Sequence, residues 1–148
     1  MDDFPHASFR PGQREALLQA AQALAERRCV QLEAPVGSGK SPMAIALARW
    51  AGGALITTPL NTLVDQYHRD YGGLAGVAVV KGRDHYPCER TGGTASTAPC
   101  TYNRDARRTC ACPFAKAKAK AVEQPVVIKP RHGHDRALDA REAAGHRG

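Results

Sequence analysis

The sequence predicts an α/β protein built on a parallel sheet. Short, partly β-branched apolar runs alternate with longer stretches of helical periodicity up to residue 80. A glycine-rich loop stands between the first of these runs and the helix that follows it. Beyond residue 80 the periodicity stops and a basic, cysteine-bearing stretch begins. Alternation of strands and helices implies parallel pairing, because each crossover helix returns the chain to the same end of the sheet.

Taken in order, residues 12–28 read as an amphipathic helix. Ala16, Leu17, Ala20, Ala21 and Leu24 recur at helical spacing, with Arg14, Glu15, Gln22 and Glu26 between them. Cys29-Val30-Gln31-Leu32 reads as a short buried strand, which makes Cys29 a small buried hydrophobe. Residues 33–39 supply a break, residues 43–50 a second helix, and Gly52-Gly53 its end. Residues 54–58 read as a strand. Residues 60–71 read as a helix with Leu60, Leu63, Val64 and Tyr67 on one face, and residues 77–80 as a third strand. Residues 83–112 are rich in Thr, Gly, Pro, Arg and Cys with almost no aliphatic side chain, so an apolar core cannot order them. Residues 114–122 suit a short Ala/Lys helix. Residues 126–128 suit a strand that Pro130 stops, and residues 131–148 have little to bury.

The chain has 148 residues, 43% of them hydrophobic, which suits one domain and leaves little room for two. A charged content of 24% excludes a wholly disordered chain. No run approaches the ~18 apolar residues of a membrane span. The start, Met1-Asp2-Asp3-Phe4, lacks the basic-then-apolar layout of a secretion signal. A cytoplasmic protein without membrane contact is the expectation. The net charge of +7 is uneven. Residues 1–80 hold seven Lys/Arg and seven Asp/Glu, whereas residues 81–120 hold nine against three. That block points to a polyanion such as nucleic acid.

Ala34-Pro35-Val36-Gly37-Ser38-Gly39-Lys40-Ser41 is the most informative stretch. Between a strand and a helix, its glycines let successive backbone N–H groups converge on phosphate oxygens. The helix adds the positive end of its dipole. Lys40 would reach the β- and γ-phosphates of a bound nucleotide, and the Ser41 hydroxyl would complete the coordination of Mg²⁺. Ala34 stands where the general Walker A pattern has its first glycine.

This loop resembles the first ATP-binding motif of superfamily 2 helicases. Phe9-Arg10-Pro11-Gly12-Gln13 resembles their adenine-reading element, in which the Gln13 amide would pair with the base. Thr57-Thr58-Pro59-Leu60 followed by Asp65-Gln66 resembles the next motif, which would place Thr58 on a DNA backbone.

Cys88, Cys100, Cys110 and Cys112 form a separate group. A cytoplasmic setting disfavours disulfides, and four thiolates satisfy either zinc or an iron–sulphur cluster. Spacing alone does not choose, although the paired Cys-x₂₋₄-Cys knuckles that zinc favours are absent. Lys81-Gly82-Arg83-Asp84-His85-Tyr86-Pro87-Cys88 resembles the opening of the iron–sulphur domain of XPD/DinG helicases. Cys112-Pro113-Phe114 with its Ala/Lys helix resembles that domain's close. The resemblance runs over residues 9–128 and implies a [4Fe–4S] cluster in preference to zinc. It also implies an insert that helps separate the strands of a duplex translocated 5′ to 3′. Arg83, Arg104, Arg107, Arg108 and Lys116, with Lys118 and Lys120, would then line a surface for single-stranded or forked DNA. Cys88, Cys100, Cys110 and Cys112 would be the cluster's ligands, and the single residue between Cys110 and Cys112 is tight for double ligation, which leaves open whether all four ligate one cluster.

An acidic pair for hydrolysis is missing: Asp-Glu occurs nowhere, and no second RecA-like domain follows. In the family, the strand bearing that pair lies beside the one preceding the phosphate loop. The resulting expectation is a partial RecA-like P-loop domain, residues 1–80, then an iron–sulphur insert, residues 81–121, then an irregular, frame-shifted or truncated tail, residues 122–148. Its function is the ATP-binding part of a 5′–3′ DNA helicase, inactive alone. The alternative is a non-enzymatic nucleotide- or zinc-binding module that binds nucleic acid.

Overall fold

The computed structural model describes residues 4–26, 29–103, 105–106 and 109–131. It is α/β, with a small parallel sheet of three strands. The chain divides into two compact units, Met1–Ala54 and Leu55–Gly148.

In the first unit, α1 (Gln13–Glu26) packs on α2 (Lys40–Trp50). Their shared core is small: Leu17, Met43 and Ala46, covered by Phe4, Phe9, Ala16 and Leu47. Phe4 and Phe9 stack with ring centroids 4.1 Å apart. Helix α2 ends where the sequence places Gly52-Gly53. Gly52 has φ 75°, its N–H donates to the Arg49 carbonyl, and that of Gly53 donates to the Ala48 carbonyl. Two otherwise orphaned carbonyls are thereby satisfied, at a backbone angle that glycine alone adopts without penalty.

The expected strand at residues 29–32 does not form, and this corrects the sequence reading. Among the described residues it pairs with nothing, and Cys29 is exposed, not buried. Isolated extended backbone has no ladder to satisfy it.

The second unit is built around β3 (Val126–Pro130), central in the order β1-β3-β2. All five β3 residues are buried, the pattern of a parallel strand covered on both faces. Strand β2 (Val77–Val79) runs parallel to it, with Val77 opposite Val126 and Val79 opposite Ile128. Strand β1 (Ala54–Thr58) lies on the other side, where the Thr58 carbonyl accepts from the Arg131 N–H at 2.8 Å. Pro130 is the strand's last residue, and Lys129 and Pro130 are both buried. Residues 129–131 thus extend the sheet, where the sequence reading ended it at residue 128. Residues 132–148 lie outside the described residues.

Helix α3 (Asn61–Tyr71) and α5 (Pro113–Glu123) pack on β2 and β3. α3 buries Val64, Tyr67 and Tyr71, on the face its periodicity predicts, while Leu60 is exposed. Between β2 and α5 the chain makes a short 3₁₀ turn, Arg83–His85, and the short helix α4 (Pro99–Tyr102). No helix among the described residues is long and apolar enough to cross a membrane.

Candidate phosphate loop and thiol cluster

The loop preceding α2 carries two glycines in left-handed conformation, Gly37 at φ 81° and Gly39 at φ 85°. Nothing lies within 4 Å of a Cβ built on Gly37, whereas one built on Gly39 would meet the Gln13 side chain. Lys40 opens α2 and folds back, its Nζ donating to the Ala34 carbonyl at 2.7 Å and the Pro35 carbonyl at 2.8 Å. An anion on the loop offers it a charged acceptor, which makes a stronger hydrogen bond than a carbonyl. Ser41, in the first turn of α2, is half-buried, and Val36 at the loop's tip is fully exposed. The Ser38 hydroxyl is buried and has no hydrogen-bond partner among the described residues.

Gln13, the first residue of α1, and Arg10, three residues before it, meet this loop. Gln13 is only 4% exposed. Its Nε2 donates to the Gly39 carbonyl at 3.1 Å and, more weakly, to that of Ser38 at 3.4 Å. Its Oε1 accepts from the Arg10 backbone N–H at 3.0 Å. The Arg10 guanidinium donates to the Gly37 carbonyl. The sequence motif brought Gln13 to the site, but no sequence signal distinguished Arg10 as a partner of the loop.

In the second unit, Cys88, Cys100, Cys110 and Cys112 all line one cavity of about 220 Å³. The sulfurs of Cys100, Cys110 and Cys112 lie within 4.8 Å of one another. Three sulfurs this close can converge on one metal ion. Three nearby cysteines with soft donor atoms can bind a metal, and four thiols around one cavity also fit the donor set of an iron–sulphur cluster. Both members of the Cys110/Cys112 pair belong to the close trio.

Cys88 opens a turn closed by Thr91 and Gly92, whose N–H groups donate to its carbonyl at 3.3 and 2.9 Å. Hydrogen bonds to its sulfur from the Thr91 side chain, and then from the backbone, hold its thiol below the usual cysteine range. The turn is pinned by an antiparallel bridge between Pro87 and Thr94. The Thr101 hydroxyl donates to the Ala95 carbonyl at 2.7 Å and accepts from Arg83 at 3.0 Å. This polar framework orders the segment that lacks aliphatic side chains. Its remaining anchor is apolar: Ala95, Cys112 and Phe114 pack with Ala78, Val80 and Val127 of the sheet layer.

The residues expected to bind nucleic acid divide. Arg83 is a strut, its guanidinium 4.7 Å from the Phe114 ring centroid and bonded to Thr101. Thr58 is buried and its hydroxyl donates to the Leu60 carbonyl at 3.1 Å. Lys116 is exposed on α5. Arg104, Arg107 and Arg108 lie outside the described residues. Tyr86 packs edge-on against Phe114, and its hydroxyl accepts from the Lys81 N–H, whereas Tyr102 is 81% exposed. No protein-family model, curated protein or solved structure matches the chain.

Proposed function

We propose that this chain is the ATP-binding part of an iron–sulphur DNA helicase of the XPD/DinG type, binding nucleotide but not turning it over alone. The observation that carries the reading is the loop of residues 34–41, with left-handed Gly37 and Gly39 leading into Lys40 at the start of α2. Its N–H groups and the helix dipole would hold the phosphates, Lys40 would exchange its carbonyl partners for phosphate oxygens, and the Ser41 hydroxyl would ligate Mg²⁺. Cys88, Cys100, Cys110 and Cys112 would hold the cluster. Binding residues of this kind stabilise the ground state. Hydrolysis also needs a carboxylate ordering water and a cation opposite the γ-phosphate, the latter worth roughly 10³–10⁵ in rate. The sequence supplies no Asp-Glu pair for this. Exposed Lys116 and the basic block around it would bind single-stranded DNA through phosphate contacts.

The close spacing of Cys100, Cys110 and Cys112 favours a second reading, in which these thiolates hold one zinc ion in a nucleic-acid-binding module. Elemental and sulphide analysis of anaerobically purified protein separates the two. About four irons with as many sulphides per chain supports the helicase reading. One zinc without sulphide supports the second. ATP turnover stimulated by single-stranded DNA and lost in Lys40→Ala would overturn the view that the chain is inactive alone.

A further inference from the structure

The amide nitrogen and oxygen with which Gln13 would read a base both have partners within the protein. Pairing with adenine requires an amide N–H for the ring nitrogen and an amide oxygen for the exocyclic amine. Here Nε2 donates to the Gly39 and Ser38 carbonyls, Oε1 accepts from the Arg10 N–H, and the residue is 4% exposed. The fit is close, because any side chain at Gly39 would run into the Gln13 amide nitrogen. Arg10 adds a second clamp on the Gly37 carbonyl. The carbonyls of Gly37, Ser38 and Gly39 are thereby tied from one side. Each N–H lies across its peptide plane from the tied carbonyl of the residue before it, so fixing the carbonyls fixes where the N–H groups point.

We infer that Gln13 is a positioning residue that braces the phosphate loop, so the site takes nucleoside polyphosphates without preferring adenine to guanine. The inference rests on the reading of residues 34–41 as a phosphate loop. Releasing Gln13 to read a base would leave the Ser38 and Gly39 carbonyls without these partners, at a cost that a base contact of similar strength only returns.

The test is calorimetric titration of the full chain with ATP, GTP and inorganic tripolyphosphate, each with Mg²⁺. Wild type is expected to bind ATP and GTP within about threefold of each other. Gln13→Met keeps the length, adds no charge and removes the amide donors together with the acceptor for Arg10. It should weaken all three ligands together by about tenfold, the loss of a net hydrogen bond or two. An ATP-over-GTP preference of tenfold or more in wild type overturns the inference, and needs no variant to fold. So does a Gln13→Met loss confined to ATP with tripolyphosphate unchanged. If wild type binds none of the three, the phosphate-loop reading itself fails and takes this inference with it. Binding of tripolyphosphate and ATP together with a strong adenine preference overturns the brace alone.

Discussion

The two units hold their candidate sites by opposite means. In Met1–Ala54 the apolar core is a few side chains between two helices, and the loop is shaped by backbone angles and by polar side chains gripping its carbonyls. In Leu55–Gly148 a strand buried along its whole length supports the layer on which Cys112 and Phe114 pack, and the cysteines inherit their positions from it. A phosphate loop needs fixed N–H directions, which glycine angles and a few clamps supply locally. A thiol cluster assembled from residues 88 to 112 needs distant chain segments held together, which packing supplies.

The largest effect should come from breaking the second arrangement. Ile128 is fully buried in the central strand. Ile128→Ala should destabilise that unit by about 2–5 kcal/mol in urea unfolding, through lost transfer energy and a cavity. A change below about 1 kcal/mol would show that β3 does not carry the packing.

Two glycine substitutions sharpen the first arrangement. Gly37→Ala and Gly39→Ala each place a Cβ at a left-handed residue, a penalty of about 1–2 kcal/mol. Only at Gly39 does that Cβ also strike the Gln13 side chain. Gly39→Ala is therefore expected to weaken MgATP binding by tenfold more than Gly37→Ala does. Equal losses at the two positions would mean that the Gln13 contact is incidental.

Alkaline titration probes the sheet unit again, with a smaller effect. Burial first, then Asp70 and Tyr67, push the Tyr71 hydroxyl from 10.0 up to about 12. Below pH 10 folded and unfolded chains are both protonated, so no stability is lost there. Between pH 10 and about 12 the unfolded chain releases the proton that the folded chain retains, and stability falls as pH rises. Tyr71→Phe should flatten that decline in a series of thermal melts. An unchanged slope would show that another group is responsible.

The smallest effect is expected from the half-buried pair of Lys81 and Asp65, 2.5 Å apart. The hydrogen bond from Lys81 holds the Asp65 carboxyl below its usual 3.8. Its contribution is present above that pH and fades as the carboxylate is protonated on acidification. Lys81→Ala should remove only this acid-side slope. Solvent screening keeps such a pair weak, so a change in midpoint at neutral pH comparable with that of Ile128→Ala would contradict the assignment.

Much of this was legible in the sequence, for identifiable reasons. The helices of α2, α3 and α5 and the strands β1, β2 and β3 announce themselves through periodicity and β-branched runs that match what the fold buries. Glycine spacing announced the loop, because few residue types tolerate the angles of Gly37 and Gly39. Residues 29–32 misled, since a β-branched run predicts strand only where a partner strand exists. The shared cavity of the four cysteines was legible as composition, whereas the closeness of Cys100 to Cys110 and Cys112 depends on the turn at Cys88 and on packing against β2 and β3. The Gln13 brace was invisible because it depends on which carbonyls the loop turns toward α1, and sequence spacing does not specify that.

The central claim is that residues 34–41 hold the phosphates of ATP, and equilibrium titration of wild type and Lys40→Ala with MgATP tests it most directly. Lys40 is exposed, and among the described residues its Nζ donates to the loop carbonyls of Ala34 and Pro35, so replacing it should leave the melting temperature nearly unchanged. The account expects saturable one-to-one binding by wild type and a loss of most of that affinity in Lys40→Ala. Equal binding by the two proteins, or none by wild type, would contradict it.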